Sequence, residues 1–404
     1  MKNRRKVNSQ PKIRRYKKIY NKRTLKPLWT VLFILGLGVV FFLSWSLYQP
    51  IIDFFSGSME SSKSSSDASS KAEPEPQRSE PEPLPAPDEP ADDAVRAVYM
   101  PLETLYNGDK LDGFLQMMSD NGLNCILLDI KTQEGYLTYT SSLPQLKDTA
   151  AIMDGAISNM ADTVSLLKAR GIGVIANIHV FRDPVGSRSD YDKAVHYLGS
   201  NLFWLDDSKE NGGKTWLNPC SQKARDYVIS IAGETAQMGF DAIIFSDVCF
   251  PGRLGAAYTD YGVEVTEDNK ADYLSMFADE ALEALSDFDV QVYFSSPAVD
   301  SISGDTFSYG AKPVTIAKNG YAPTLYPSEY DASRSVYDAV TAQLKKLGDY
   351  IDPDDEASLA FLPLLQAFGG YGPDDIAQQI SALEDRGFNS YIIYSEDGVY
   401  PFSE

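Results

Sequence analysis

One pattern occurs four times in this chain, as SDNGLNCILLDIK (119–131), KARGIGVIANIHV (168–180), AQMGFDAIIFSDV (236–248) and EDRGFNSYIIYSE (384–396). Each time, a segment with helical character ends at a glycine, and a run rich in β-branched and aromatic residues begins within two or three residues. Glycine readily adopts the left-handed conformation in which many α-helices end. The pattern therefore predicts helices that alternate with strands, which is typical of a parallel sheet.

Eight segments between residues 95 and 395 have the composition of strands. They are 95–101, 124–131, 174–180, 242–247, 290–295, 322–326, 359–367 and 390–395. Eight alternating β and α units in one domain predict an α/β fold of the TIM (β/α)8 barrel class. An open, doubly wound sheet is the alternative, although no Gly-rich phosphate loop follows any of these strands.

The N-terminal region has the composition of a membrane anchor. Residues 1–27 contain twelve Lys or Arg and no acidic residue, and residues 28–48 are uncharged and mostly apolar. At about 1.5 Å per residue, a helix of this length spans roughly 31 Å, which is enough to cross a bilayer core. A cleaved signal peptide is the alternative, but no small-x-small cleavage site follows. The positive charge ahead of the helix predicts a cytoplasmic N-terminus.

Four regions follow from this organisation. We predict a basic cytoplasmic tail (1–27), a transmembrane helix (28–48), a disordered stalk rich in Ser, Pro and Glu (49–94) and a barrel domain (95–404). Sequence rich in Ser, Pro and Glu lacks the apolar residues that a core needs. The expected location is the cell membrane, crossed once, with the C-terminal domain outside the cell.

The part predicted to be exported is strongly acidic. All 57 Asp and Glu residues lie beyond the apolar segment, together with 24 of the 36 Lys and Arg residues (36 minus the twelve in the tail). This charge disfavours nucleic acid and anionic polymers as partners, and it is compatible with neutral or amino-bearing glycans or with a solvated surface that has no partner. Three cysteines are too few for a disulfide framework, and no His/Cys cluster has metal-ligand spacing, so neither a metal nor a cofactor is predicted.

Candidate site residues follow from the barrel, because function gathers at the C-terminal ends of its strands. Carboxylates there suit glycoside hydrolysis, in which one acid protonates the leaving oxygen and a carboxylate attacks or activates water. The candidate catalytic residues are Asp129, Asp247, Glu329 and Glu396. The candidate substrate-binding residues are Lys131, His179, Arg182, Asp183, Trp204, Trp216, Ser246, Tyr326 and Gln366. Partial burial of Glu329 would raise its pKa and suit it to donate the proton.

Several of these assignments have a structural alternative. Asp129 and Lys131 are two residues apart and are expected on one face of the strand. They form either a structural ion pair, or a site in which Lys131 lowers the pKa of Asp129 and suits it to act as a nucleophile. Strand alternation directs Asp247 away from the mouth unless a bulge turns it inward. His179 could be a hydrogen-bonded core residue, and the two tryptophans could cover the core instead of stacking on a sugar.

Five segments resemble the motifs of a bacterial glycoside-hydrolase-like family with an α-amylase-like barrel, long catalogued as a domain of unknown function. They are ILLDIKTQEGYLTY (126–139), VIANIHVFRDP (174–184), WLNPCSQKARDYVISIAGETAQMGFDAIIFSDVCFP (216–251), YAPTLYPSEY (321–330) and LPLLQAFGGYGPDDIAQQI (362–380). The first contains the family's Asp, Lys and Gly as Asp129, Lys131 and Gly135. The resemblance covers most of residues 95–404 and implies the barrel fold and glycoside hydrolysis.

The chain departs from the family's pattern at positions that matter for catalysis. The family's strand-four Asp, the expected nucleophile in α-amylase-like barrels, falls on Ser246. Its Arg falls on Cys249, its His after Pro-Ser falls on Glu329, and a Trp-Asn pair near strand eight falls on Tyr394 and Ser395. A serine hydroxyl is a poor replacement for a carboxylate nucleophile, so the resemblance implies the fold but not the catalytic assignment.

Two functions therefore compete. The first is a glycoside hydrolase that acts on cell-surface or extracellular polysaccharide. The second is a catalytically inactive glycan-binding or cell-envelope scaffolding protein on the same fold; a membrane-tethered partner of wall assembly that binds no sugar is a third. Polysaccharide or cell-wall glycan is the expected partner in the first two. Two carboxyl groups that face each other across the rim would favour hydrolysis.

Overall fold

The computed structural model describes residues 94–146, 150–304, 306–355 and 357–402. The predicted cytoplasmic tail and membrane helix, and residues 49–93 of the predicted stalk, lie outside these ranges, so the four domain boundaries remain a prediction. Within the described ranges, no helix is both long and apolar enough to cross a membrane.

Thirteen strands form in the described residues. They are β1 (Arg96–Tyr99), β2 (Cys125–Lys131), β3 (Leu137–Tyr139), β4 (Ile152–Ile157), β5 (Gly173–His179), β6 (His196–Tyr197), β7 (Ala242–Ser246), β8 (Thr259–Asp260), β9 (Gln291–Phe294), β10 (Gly320–Tyr321), β11 (Ala360–Phe361), β12 (Leu364–Gln366) and β13 (Tyr391–Tyr394). β3 and β4 extend the main sheet beside β2, whereas β6 and β8 pair with each other as a separate antiparallel ribbon.

The main sheet has a parallel order that is consistent with a TIM barrel. Its neighbours run β11–β10–β9–β7–β5–β2–β1–β13–β12, and every pair along this path is parallel. The two ends of the path, β11 and β12, are separated only by Leu362 and Pro363. The amide of Leu362 donates to the Tyr321 carbonyl on one side, and the Pro363 carbonyl accepts from the amide of Ile392 on the other.

All eight predicted strands are present in this order, with two differences in detail. The sixth lies slightly earlier than predicted, at β10, and is followed by an isolated bridge at Thr324. The seventh is divided into β11 and β12, because proline at position 363 has no amide hydrogen to donate to a neighbouring strand.

Nine α-helices lie in the described residues. They are α1 (Gly108–Asp120), α2 (Met160–Ala169), α3 (Gly186–Ser189), α4 (Gln222–Gln237), α5 (Lys270–Leu285), α6 (Ala298–Ser303), α7 (Pro327–Tyr330), α8 (Val336–Leu347) and α9 (Pro373–Glu384). The four junction glycines have the left-handed backbone that the sequence pattern predicts, with φ of 67° at Gly122, 78° at Gly171, 87° at Gly239 and 81° at Gly387. Each lets the chain leave a helix and enter a strand within a few residues.

The strands separate two apolar layers. Residues of the inner layer include Ala97, Leu127, Ile175, Ala242, Ile244 and Ile392. Residues of the outer layer, which pack against the helices, include Val98, Ile126, Leu128, Val174, Ile243, Phe245 and Ile393. Consecutive residues of a strand alternate between the layers, because successive side chains point to opposite faces. The inner rows therefore continue, at the C-terminal ends of the strands, into polar and aromatic side chains that point into the mouth of the fold.

Candidate active site

A cavity of about 600 Å³ lies at the C-terminal ends of the strands. All four predicted carboxylates line it, together with three of the predicted binding residues: Asp129, Asp247, Glu329, Glu396, His179, Ser246 and Tyr326. The fold thus brings together seven candidates that are scattered over more than 260 residues of sequence. Their roles in binding or catalysis remain predictions.

A chain of hydrogen bonds crosses the floor of the cavity. The Tyr99 hydroxyl donates to Asp129 Oδ2 over 3.2 Å, and Asn177 Nδ2 donates to Asp129 Oδ1 over 2.7 Å. The same Asn177 nitrogen lies 3.2 Å from His179 Nε2, and the Ser246 hydroxyl donates to Asn177 Oδ1 over 2.7 Å. Asn177 therefore contacts three of the predicted site residues, although the sequence analysis did not single it out.

Asp247 enters the cavity because of an unusual backbone conformation. It follows the last residue of β7 and has φ of 55°, the one positive φ outside glycine among the described residues. The left-handed region costs an L-residue roughly 1–2 kcal/mol, and Asp tolerates it better than most. In this conformation Asp247 Oδ2 lies 2.6 Å from His179 Nδ1. A left-handed residue, rather than the bulge considered from the sequence, directs this carboxylate into the mouth.

His179 and Asp247 form a mutually stabilised pair, with side chains that are only 18% and 23% exposed. Burial acts to raise the pKa of Asp247, but the hydrogen bond and charge of His179, with smaller effects of Arg182 and Lys131, outweigh it and hold this pKa below its usual value. Burial acts to lower the pKa of His179, and the hydrogen bond and charge of Asp247 outweigh it, so that this pKa is raised. Both shifts keep the Asp247 carboxylate ionised.

Glu329, in α7, has the opposite electrostatic environment. Partial burial raises its pKa, the negative charge of Asp300 adds to the effect, and a hydrogen bond with Thr324 opposes it. A carboxyl group with a raised pKa keeps its proton at higher pH, as a proton donor requires. One cavity thus contains a carboxyl group whose pKa is lowered and another whose pKa is raised.

Aromatic side chains form one wall of the cavity. This aromatic wall consists of Tyr99, Tyr326, Phe368 and Tyr394. The ring centroids lie 5.0 Å apart for Tyr99 and Tyr394, 6.3 Å for Phe368 and Tyr394, and 5.1 Å for Tyr326 and Phe368. Such a wall gives a ligand apolar ring surface edged by hydroxyl groups, because tyrosine combines an apolar ring with a polar end.

The predicted approach of Lys131 to Asp129 is wrong. Lys131 is completely buried, and its Nζ lies 2.9 Å from Oδ2 of Asp183, which is also completely buried. The register of β2 against β5 shifts between Asp129 and Lys131. The side chains of these two residues therefore no longer point to the same face of the strand. Lys131 also donates to the His179 carbonyl, and Asp183 Oδ1 accepts from the amide of Gly186 at the start of α3. This pair supports the site from below and does not line the cavity.

The prediction that Trp204 contacts a ligand is also wrong. Its side chain has no exposed surface, and its Nε1 donates to the Gly255 carbonyl, so the ring belongs to the core. Trp216 is nearly buried, donates from Nε1 to Asp206 Oδ2, and lies with Arg182 in a separate cavity of about 420 Å³. The long loop after β5 folds back on the domain, and this tertiary packing is not visible in the spacing of aromatic residues.

Gln366 acts through its neighbours rather than in the cavity. It is buried, its Oε1 accepts from the Ser328 hydroxyl over 2.9 Å, and its backbone amide donates to Gln379 Oε1 over 2.9 Å. Through Ser328 it holds α7, the helix that contains Glu329. The predicted contact with a ligand is therefore replaced by a positioning role.

Three of the cavity residues that the sequence analysis did not select share a signal that was present in the sequence. Asn177 lies two residues before His179, Tyr99 two residues after the inner-layer residue Ala97, and Tyr394 two residues after Ile392. The two-residue period of a strand therefore identifies all three. Phe368 lies in the loop after β12, where no such period applies. Within the described residues, no group of three or more His, Cys, Asp or Glu side chains is arranged to hold a metal ion.

The fold is similar to that of a known glycoside hydrolase domain. The PgaB (BpsB) glycoside hydrolase domain from Bordetella bronchiseptica is 18% identical, with 76% of this chain and 94% of that domain covered and a TM-score of 0.55. A hypothetical protein from Ruminiclostridium thermocellum is 24% identical over 48% of this chain and 96% of its own, with a TM-score of 0.41. The catalytic domain of a beta-amylase from Paenibacillus polymyxa is 11% identical over 76% and 93%, with a TM-score of 0.46.

The comparison of sequences is more specific. None of the curated proteins matches the chain. Residues 97–400 match the family described as "Putative glycosyl hydrolase domain", and this match includes β1 to β13 almost entirely, with the whole lining of the cavity. Because the match extends over well more than half of the sequence, the chain belongs to the family "Putative glycosyl hydrolase domain".

Proposed function

We propose that this chain is a membrane-anchored glycoside hydrolase that acts on cell-surface or extracellular polysaccharide, and that the cavity at the C-terminal ends of the strands is its active site. The observation that carries the proposal is the pair of carboxyl groups in one cavity whose pKa values are displaced in opposite directions, downward at Asp247 and upward at Glu329. Pairs of this kind mark the acid and the ionised carboxylate of a glycosidase.

The chemistry assigned to each group follows from its environment. Glu329 donates its proton to the glycosidic oxygen while the bond from that oxygen to the anomeric carbon breaks. The carboxylate of Asp247 or Asp129 stabilises the positive charge that develops on the sugar, by attack on the anomeric carbon or by activating the attacking water. His179 keeps Asp247 ionised, and the aromatic wall provides a surface on which a sugar ring can stack.

A panel of bacterial surface polysaccharides tests the hydrolytic function and separates it from the alternative. The full-length protein in detergent micelles is expected to release new reducing ends from at least one neutral or amino-bearing glycan, and Asp247→Asn is expected to abolish most of this release. Unchanged activity in both Asp247→Asn and Asp129→Asn would contradict the assignment of these carboxylates.

The second candidate function, glycan binding without hydrolysis, is favoured by Ser246 at the end of β7, where a carboxylate nucleophile is expected in α-amylase-like barrels. It predicts binding on the same panel without any new reducing ends. In both cases Tyr394→Ala should weaken binding about tenfold, or ~1.4 kcal/mol, because it removes one of the two inner rings of the aromatic wall. Tyr191→Ala is the matched control, since Tyr191 is 45% exposed and does not line the cavity. Equal affinity in the two variants would remove the aromatic wall from the binding site.

The membrane location rests on the basic tail and on the apolar segment 28–48. Protease added to intact cells stripped of their wall is expected to remove the C-terminal domain and to leave the N-terminal tail inside. A C-terminal domain that stays protected under these conditions would contradict the proposed topology.

A further inference from the structure

The side chain of Asn177 connects two titratable groups on opposite sides of the cavity floor. Its Nδ2 lies 2.7 Å from Asp129 Oδ1 and 3.2 Å from His179 Nε2, and its Oδ1 accepts from the Ser246 hydroxyl. Asn177 is itself buried in β5. An amide nitrogen has two hydrogens, so one Asn177 nitrogen can donate to both neighbours at the same time.

This arrangement specifies the protonation of both neighbours. Because Nδ2 is only a donor, His179 Nε2 must present its lone pair, and the ring is then neutral with its hydrogen on Nδ1. That hydrogen points to Asp247 Oδ2, 2.6 Å away. Asp129 must accept at Oδ1, as an ionised carboxylate does. One orientation of the amide thus selects a neutral imidazole together with an ionised carboxylate.

Protonation of His179 requires the opposite orientation. An imidazolium has N–H groups at both ring positions, so Nε2–H would face the Asn177 N–H groups unless the amide turns. After the turn, Asn177 Oδ1 accepts from His179 Nε2–H, but it also faces Asp129 Oδ1 across the 2.7 Å that Nδ2 previously spanned. Two acceptor oxygens at that distance require a hydrogen between them, which the carboxyl group of Asp129 supplies by taking up a proton.

We propose that Asn177 is a positioning residue that links the protonation of His179 to that of Asp129, so that the two groups gain or lose their protons together. The inference rests on the proposed function, because it explains how that site presents Asp129 as a hydrogen-bond acceptor while it holds His179 in one tautomer. Ser246 is compatible with both states, since a hydroxyl group can donate to Asn177 Oδ1 or accept from Nδ2. A carboxylate at position 246 could only accept, and it would draw Nδ2 away from Asp129.

Other charged or titratable groups also face this cluster. They are Asp247 after β7, Lys131 at the end of β2, Arg182 after β5, Tyr99 on β1, Tyr394 on β13, and Glu134 and Glu396 on the cavity lining. Asp247 and Asp129 favour an imidazolium at position 179, whereas Lys131 opposes it. The Asn177 amide adds a directional contribution against the imidazolium that charge alone does not provide.

The tautomer can be read directly, because the chain contains only two histidines, His179 and His196. The full-length protein in detergent micelles is labelled with ¹⁵N-histidine, and NMR spectroscopy then gives the chemical shifts of the ring nitrogens. The variant His196→Gln identifies which of these signals belong to His179. Above the pH at which His179 titrates, we expect a protonated Nδ1 and an unprotonated Nε2 at this residue. On acidification we expect the titration curve of His179 to be steeper than the curve for binding of a single proton. Nε2–H as the neutral tautomer in the wild type would overturn the proposal without any variant in the site.

Two substitutions separate coupling from a general structural effect. Asn177→Ala removes the donor that faces Nε2, and it should raise the midpoint of the His179 titration by about one pH unit. Asp129→Asn should reduce the slope of the His179 titration curve to that of a single proton, because the Asn177 amide can then turn without protonation of residue 129. An unchanged midpoint in the first variant, or an unchanged steep slope in the second, would contradict the proposal. These measurements need no substrate, so they remain informative if no polysaccharide is hydrolysed.

Discussion

Glu329→Gln is expected to reduce polysaccharide hydrolysis by about 10²–10⁴-fold, the usual contribution of a positioned general acid. Glutamine keeps the size of the side chain but cannot transfer a proton to the glycosidic oxygen. Affinity for the same glycan should stay within a few-fold of the wild-type value, because the aromatic wall and Asp247 are unchanged. The rate of hydrolysis and the binding affinity are measured on the same polysaccharide. A loss of rate without a loss of affinity isolates the chemical step.

The pH dependence of this activity should be bell-shaped, with Glu329 governing the alkaline side and Asp247 the acidic side. Glu329 must be protonated to act, so activity should fall as the pH rises through its raised pKa. Asp247 must be ionised, so activity should also fall as the pH decreases through its lowered pKa. Glu329→Gln should remove the alkaline side of the profile and leave the acidic side in place.

Glu134→Gln is the matched control for this variant. Glu134 lines the same cavity, and the substitution likewise replaces a carboxyl group with an amide. It should change the rate only a few-fold if the proton comes from Glu329. A loss of activity in Glu134→Gln that equals the loss in Glu329→Gln would show that removal of any carboxyl group from the cavity, and not proton donation by Glu329, explains the effect.

Lys131→Met is expected to lower the free energy of unfolding by about 3–5 kcal/mol, because it leaves the Asp183 carboxylate buried without its partner. Both side chains are completely buried, and their charged atoms lie 2.9 Å apart. Methionine fills a similar volume, so the cost is mainly electrostatic. Urea unfolding followed by tryptophan fluorescence measures the change.

The same substitution at an exposed ion pair provides the control. Lys168 pairs with Asp241 over 2.6 Å, and both side chains are 44% exposed, so Lys168→Met should cost only about 0–1 kcal/mol. The double variant Lys131→Met/Asp183→Asn should recover part of the loss, because it removes the unpaired charge. Equal losses in Lys131→Met and Lys168→Met would mean that burial of the first pair contributes little.

The order of strands was readable from the sequence because local rules govern it. Helix–glycine–strand junctions at Gly122, Gly171, Gly239 and Gly387 act within a few residues, and the structure has a left-handed glycine at each. The two-residue period of strands then places Asp129, His179 and Ser246 on the inner face. The C-terminal ends of parallel strands lie at one end of the fold, and Asp129, Asp247, Glu329 and Glu396 all line one cavity there.

Other features of the site depended on contacts between distant residues. Lys131 leaves the inner face because the register of β2 shifts against β5, and its partner Asp183 lies 52 positions further along the chain. Trp204 is buried because the loop after β5 folds back until the ring reaches Gly255. No short-range pattern reports such packing, so these two residues were assigned to a ligand site that they do not enter.

The sequence by itself determined the alternation of helices and strands, the inner row of each strand and the end of the fold at which polar groups gather, since each follows from backbone geometry over a few residues. Only the tertiary structure decided which of these groups pair with each other. Asp247 pairs with His179 because its backbone is left-handed and β5 lies beside β7, and the pKa values follow from that pairing. Electrostatic interactions depend on distance and burial in space, and neither can be read from separation along the chain.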